Sequence, residues 1–371
     1  MAAFIKGLIK NTLAVLIAWV IFIVFGVVSV IILAAGFSTK TPIKVEAGSF
    51  LVIDISRNLP DTPPVMDLPL AIRKALQDTP ANVTYLYEML ETVERAAQDD
   101  RIRGIYLTGS FDPQGLGSSY AAIREFRSAL ESFQETGKPI YGYLTNPDQR
   151  DLYLMSVADE LSMNPFGLMD LTGLGSEIVF FDKAFEKFGV DVQVARVGNY
   201  KSAVEPYTRK DLSEANREQL ESYLQGAWSE ILATIGSGRG LEPSAIQALS
   251  DTKGILNGEE MVEAGLVDQV AYLDEVIENL REKGKKDKKR HTFTQIDVLD
   301  YIESGSAAFN RAKGPKNSIA VVYAEGVILP GESSEGMIGA ETLSKQLRKI
   351  RQDEDVKAVV FRVNSPGGSA Y

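Results

Sequence analysis

Two short stretches carry residue types that could do chemistry. Asn364-Ser365-Pro366-Gly367-Gly368 follows directly on the apolar run AVVFRV, which reads as a parallel strand. Paired glycines there let backbone N–H groups approach a substrate oxygen with no Cβ in the way. Such donors can form an oxyanion hole for acyl transfer. The same residues are ordinary turn formers, so a plain strand-to-helix turn fits them too. The second stretch is RVGNYKSAVEPY, Arg196–Tyr207, in which Lys201 stands between a predicted strand and a long helix amid small and apolar neighbours. A lysine serves as general base when burial lowers its pKa toward neutrality. Otherwise it is a surface lysine, as most of the 39 basic residues must be.

What is absent narrows the chemistry. The chain has one histidine, His291, set in the basic run GKKDKKRH, which reads as a solvated linker or loop. A Ser-His-Asp site needs a histidine held rigidly beside the nucleophile, so a hydrolase built on this sequence needs another base. A serine–lysine pair is the route left open. There is no cysteine, which removes disulfides, thiolate metal sites and a cysteine nucleophile together. A formal net charge of −11 argues against nucleic-acid binding, which needs a basic surface. The expectation is an enzyme with no metal and no cofactor.

These stretches need a scaffold, and the hydrophobic pattern supplies one. SFLVIDI (Ser49–Ile55) reads as a buried strand. NVTYLYEMLETVERAAQDD then has Leu86, Leu90, Val93 and Ala97 at helical spacing. GIYL (Gly104–Leu107), the helix YAAIREFRSALESFQETG stopped by Gly137, and the strand IYGYL follow. Strands alternating with helices predict a parallel sheet in an α/β fold. Further on, VQVARVG (Val192–Gly198) is expected as a strand, and SEANREQLESYLQGAWSEILATIGSG as a long helix capped by Ser213. GILNGEEMVEAGLVDQVAYLDEVIENLREKGKK reads as a strand or turn and two short helices.

The pattern then restarts. NSIAVVY (Asn317–Tyr323) matches SFLVIDI, and QDEDVKAVVF can be laid on AQDDRIRGIYL with Val356 on Ile102 and Phe361 on Leu107. Two strands and a helix recur in order, which points to a duplicated unit. The second copy reaches Tyr371 just after NSPGGS, where the first copy goes on to its next helix. A chain cut short within its second copy is the expectation.

At the other end, Asn11 to Thr39 contains no charge, and the apolar run Leu13–Phe37 is 25 residues long. At a rise of ~1.5 Å per residue it reaches roughly 37 Å, enough for a ~30 Å hydrocarbon core. Lys6 and Lys10 precede it and place the N-terminus in the cytoplasm. A cleaved signal peptide is the rival, although its apolar core is usually shorter. The expected organisation is a cytoplasmic N-terminus (1–12), a transmembrane anchor (13–37), a first α/β domain (45–302), a linker (303–316) and the start of a second domain (317–371).

Taken together, the anchor, the duplicated α/β unit, GNYKSAVEPY and FRVNSPGGS resemble the signal peptide peptidase A (protease IV) family in its long two-domain form. That family lies within the Clp-protease/crotonase fold superfamily. The resemblance implies an inner-membrane serine protease facing the periplasm that degrades released signal peptides, with ring-like homo-oligomers, tetrameric by the same likeness. It implies Lys201 as general base and the amides of Gly367 and Gly368 as the oxyanion hole. The family's nucleophilic serine lies in a Gly/Ser-rich turn beyond NSPGGS and the elements that follow, so it would come after Tyr371. In the first copy the comparable place is NPDQRDLYLMS, where Arg150 takes the serine's position. Residues 1–371 alone are thus expected to be inert. A non-catalytic membrane scaffold and a crotonase-like acyl-CoA enzyme are the other readings.

Overall fold

The computed structural model describes residues 43–61, 83–111, 119–287, 291–305, 317–334 and 336–370, together with isolated positions between 7 and 26. The chain separates into two compact units, Met1–Lys44 and Val45–Tyr371. Most of the apolar run 13–37 lies outside the described residues. Among those described, no helix is long and apolar enough to cross a membrane.

The larger unit is organised by a six-stranded sheet. Its strands are β1 (Ser49–Asp54), β2 (Ile102–Thr108), β3 (Ile140–Leu144) and β4 (Glu160–Met163), with β7 and β10 defined below. The short strands β5 (Leu168–Asp170) and β6 (Ile255–Asn257) pair with each other. After them come β7 (Gln269–Val270), β8 (Lys286–Asp287), β9 (Thr292–Phe293) and β10 (Gln295–Asp297). The sheet order is β10-β1-β2-β3-β4-β7, and every pairing in it is parallel. Consecutive strands lie side by side because each pair is joined by a helix, as parallel pairing requires.

Burial on both faces explains the near-continuous apolar runs in these strands. One face gathers Phe50, Tyr106 and Tyr143 with Val276, Leu280 and Phe293. The alternate residues Leu51, Ile53, Ile105 and Leu107 are equally buried. Two helices, α1 (Leu86–Gln98) and α2 (Tyr120–Gln134), pack side by side. The buried stripe of α1 runs through Leu86, Met89, Val93 and Ala96. The expected face is thus shifted by one residue, with Leu90 and Ala97 only half-buried. Lys138 donates to the carbonyls of Ala96 (2.9 Å) and Asp99 (2.8 Å), satisfying the open end of α1 with a positive charge.

The remaining helices of the first copy are α3 (Gln149–Met155), α4 (Asp182–Phe188), α5 (Glu205–Thr208), α6 (Glu214–Arg239), α7 (Pro243–Thr252), α8 (Gly258–Glu263), α9 (Leu273–Lys283) and α10 (Val298–Gly305). Helix α10 takes in residues 303–305, which the sequence pattern had assigned to the linker. His291 is exposed and adopts φ +53°. One expected strand does not form. Val192–Val197 has no ladder partner among the described residues and is exposed apart from the half-buried Val192. Alternating side chains suit a strand, but a neighbour must supply the hydrogen bonds.

The second copy contributes β11 (Ser318–Glu325), β12 (Val327–Leu329), β13 (Met337–Gly339), α11 (Ala340–Gln352) and β14 (Val356–Asn364). Its geometry repeats the first copy in detail. Ser49 pairs with Ile102 and the register then slips, so that Phe50 faces Gly104. Ser318 pairs with Val356 and slips in the same way, so that Ile319 faces Ala358. The helix-to-strand turns agree as well. Asp99 accepts the N–H of Arg101 at 3.0 Å, and Asp353 accepts that of Asp355 at 3.0 Å. The two segments thus share both a register slip and a side-chain turn. Arg362 on β14 ties this copy to the first, bonding Glu125 of α2 at 2.8 Å and Asp61 at 2.9 Å.

Candidate active site

Lys201 lies in the segment that leaves α4 and leads to α6. Gly189 ends α4 in the left-handed region, at φ +70°. The exposed stretch up to Val197 follows, then a turn at Gly198 and the short helix α5. Lys201 itself is exposed, so the burial expected of a lysine base is not supplied by the described residues around it. Its backbone is nevertheless held. The carbonyl of Lys201 accepts from Arg196 Nη1 at 3.4 Å, and Glu205 N–H donates to Ser202 O at 2.9 Å.

Glu205 is buried beneath this exposed loop. Its carboxylate accepts from Ser213 Oγ (2.5 Å), Ser213 N (3.1 Å) and Asn216 Nδ2 (3.0 Å), and Arg196 Nη1 stands 3.6 Å away. Burial pushes the carboxyl up, but donation from Ser213 and Asn216 and the charge of Arg209 more than offset it and hold the group at about 2. Ser213 caps α6 as expected, its Oγ accepting from Asn216 N. Sequence reasoning picked out the cap and passed over Glu205. The available signal was a carboxylate within the lysine motif, just ahead of a capping serine.

The Gly367–Gly368 turn has a defined shape. Gly367 adopts φ +102° and Gly368 φ +150°. An added Cβ on Gly368 would stand 2.2 Å from Ile328 O, so backbone approach excludes a side chain there. Ile328 N–H donates to Gly367 O at 3.0 Å, and Ser369 N–H to Ile328 O at 2.8 Å. In a parallel bridge of this kind the residue between those two bonds turns its own N–H away from the partner strand. Gly368 N–H therefore faces outward, whereas Gly367 N–H donates to Ser365 Oγ at 3.1 Å. The Ser365 hydroxyl in turn donates to Gly326 O at 2.6 Å. Among the described residues no hydrogen bond or ion pair joins Lys201 to this turn.

In the first copy the positions that correspond to Gly367 and Gly368 lie outside the described residues, but Ser110 and Phe111, shortly ahead of them, are bonded from within. Asp148 and Asp151 form a capping box at the start of α3. Asp151 is fully buried and accepts from Phe111 N (2.8 Å) and Ser110 Oγ (2.5 Å) in the turn after β2, and from Asp148 N (2.9 Å). Arg150 pairs with Asp148 at 3.0 Å. A carboxylate thus occupies the Phe111 amide and the Ser110 hydroxyl in the turn after β2.

Burial, reinforced by the charge of Asp148, pushes Asp151 up from 3.8 to about 6. A raised carboxyl favours the folded state below its unfolded value and loses that contribution as pH rises through the folded value. The window is therefore roughly pH 4 to 6. Urea unfolding of the chain and of Asp151→Asn at pH 4 and pH 7 should show the difference moving in the variant's favour by about 2–3 kcal/mol at the higher pH. A difference independent of pH would contradict this assignment.

Residues 132–287, a segment of the parallel α/β unit that includes the Lys201 loop, match Peptidase family S49. "Protease 4" of Haemophilus influenzae is 30% identical over 384 residues, covering 99% of this chain and 59% of that protein. "Protease 4" of Salmonella typhi is 32% identical, covering 76% of the chain and 46% of its own length. "Serine protease SPPA, chloroplastic" of Arabidopsis thaliana is 33% identical, with 77% and 42% covered. The chain spans about half the length of these curated relatives. The resemblance read from the sequence holds: the chain is similar to the SppA-type proteases.

Proposed function

We propose that this chain serves a membrane-anchored serine protease of the serine–lysine kind, acting on cleaved signal peptides. Lys201 is the general base, and Gly367 and Gly368 form the donor turn, with the outward N–H of Gly368 as its available donor. The serine hydroxyl attacks the peptide carbonyl while Lys201 Nζ takes its proton. The turn's N–H stabilises the oxyanion, and the lysine returns the proton to the leaving amine. Water then releases the acyl group by the same route. Ser365 is not the nucleophile, because its hydroxyl is engaged by Gly326 and Gly367. No serine of residues 1–371 is assigned that role.

The observation that carries this reading is the lysine loop. It lies within the S49-matching segment, and its backbone is tethered on both flanks of the base. By resemblance, residues 13–37 anchor the protein in the inner membrane with the catalytic part in the periplasm, and it assembles as a ring-like tetramer. The test uses the protein at its natural length, exposed to a fluorophosphonate probe and to a synthetic signal peptide. One labelled serine and cleavage within the apolar core are expected, and residues 1–371 alone should do neither. A natural-length protein that neither labels nor cleaves overturns the reading, as does hydrolysis by residues 1–371.

A further inference from the structure

We propose that Glu205 is the positioning residue for Lys201, a buried carboxylate that clamps the lysine loop to the start of α6; the inference rests on the base role of Lys201 argued above. Burying a carboxylate is unfavourable unless its oxygens are fully satisfied. Here both are. Oε1 takes the Ser213 hydroxyl and faces Arg196, and Oε2 takes the Ser213 and Asn216 N–H groups.

The arrangement holds the lysine from two directions. Upstream, Arg196 Nη1 reaches both the Lys201 carbonyl (3.4 Å) and Glu205 Oε1 (3.6 Å). Downstream, Glu205 N–H closes a turn on Ser202 O at 2.9 Å. The other end of the clamp is a 26-residue helix, α6, so the loop is referred to a rigid element. The loop needs such a fixture. Its upstream flank is exposed, Val194 to 39% and Val197 to 84%. Among the described residues 198–208, Glu205 is the buried one. A base displaced by ~1 Å loses on the order of 100-fold in rate.

In the natural-length protein, Glu205→Ala should lower kcat for signal-peptide cleavage by about 10- to 100-fold, with KM within about threefold. Hydrogen exchange should speed up across residues 198–204 while β1, β2 and β3 stay protected. Glu205→Gln, which keeps an acceptor but meets N–H donors with its own amide, should fall between wild type and Glu205→Ala. Should Glu205→Ala not fold, Arg196→Met serves in its place. It severs the link to the Lys201 carbonyl and the ion pair to Glu205 but leaves the carboxylate with its Ser213 and Asn216 donors, and should cost about threefold to tenfold in kcat. Unchanged kcat in the folded variants, or exchange faster across the whole sheet, overturns the positioning role. If kcat is unchanged while Lys201→Ala is inactive, only the positioning role falls. If Lys201→Ala remains active, the base assignment falls and takes the positioning role with it.

Discussion

Lys201→Ala in the natural-length protein should reduce kcat/KM for peptide cleavage by about 10²- to 10⁴-fold, the range a positioned general base contributes. The fold should not notice. Lys201 is exposed, and surface substitutions of this kind usually lie within about 0.5 kcal/mol. The unfolding midpoint should therefore match wild type while activity collapses. Lys201→Arg sharpens the test. Arginine keeps the positive charge but stays protonated at any usable pH, so it cannot accept the serine proton. It should be as inactive as alanine. An active arginine variant would mean that the charge, and not proton transfer, is what matters at this position.

The second large effect is structural. Phe50→Ala should cost about 3–5 kcal/mol, read as a lower urea midpoint with little change in slope. The ring is wholly buried and makes edge contacts with Tyr141 (5.7 Å) and Phe293 (5.6 Å). Two glycines make room for it. A Cβ on Gly104 would lie 3.0 Å from the ring, and one on Gly284 2.7 Å. A cavity left there is bounded in part by backbone, at Gly104 and Gly284, which relaxes inward less readily than side chains do. The second copy offers an internal control. By register Ile319 is the equivalent of Phe50, and it is 64% exposed. Ile319→Ala should stay within about 0.5 kcal/mol. Equal costs at both positions would show that β11 carries a covered face in solution.

Much of this architecture could be read from the chain alone, because its parallel strands are buried on both sides and read as apolar runs. IYGYL became β3 to the residue, and the long helix capped by Ser213 formed as expected. The repeat was legible because Asp99 and Asp353 build the same turn before an apolar run. What failed depended on partners distant in sequence. Val192–Val197 alternates correctly, yet pairing is not a local property, and no described strand pairs with it. Glu205 and Asp151 looked like two among 50 acidic residues. Only folding shows that Asp151 reaches back to Ser110 and Phe111. Lys201 and the two glycines stood out by motif, but the lysine is exposed, and among the described residues no hydrogen bond or ion pair joins it to the turn.

The repeated register slip also says where this protein's length has been free to change. Ser318 lies 269 positions after Ser49, whereas Val356 lies only 254 after Ile102, so the first connection is 15 residues the longer. Both strand pairs nevertheless keep their counting, irregularity included, since one residue gained inside a strand would turn every side chain to the opposite face. The difference in length between the two segments falls between the ladders. That makes the crossover after β1 a natural place to splice in an epitope or a fluorescent reporter, and the strands themselves the last place to attempt it.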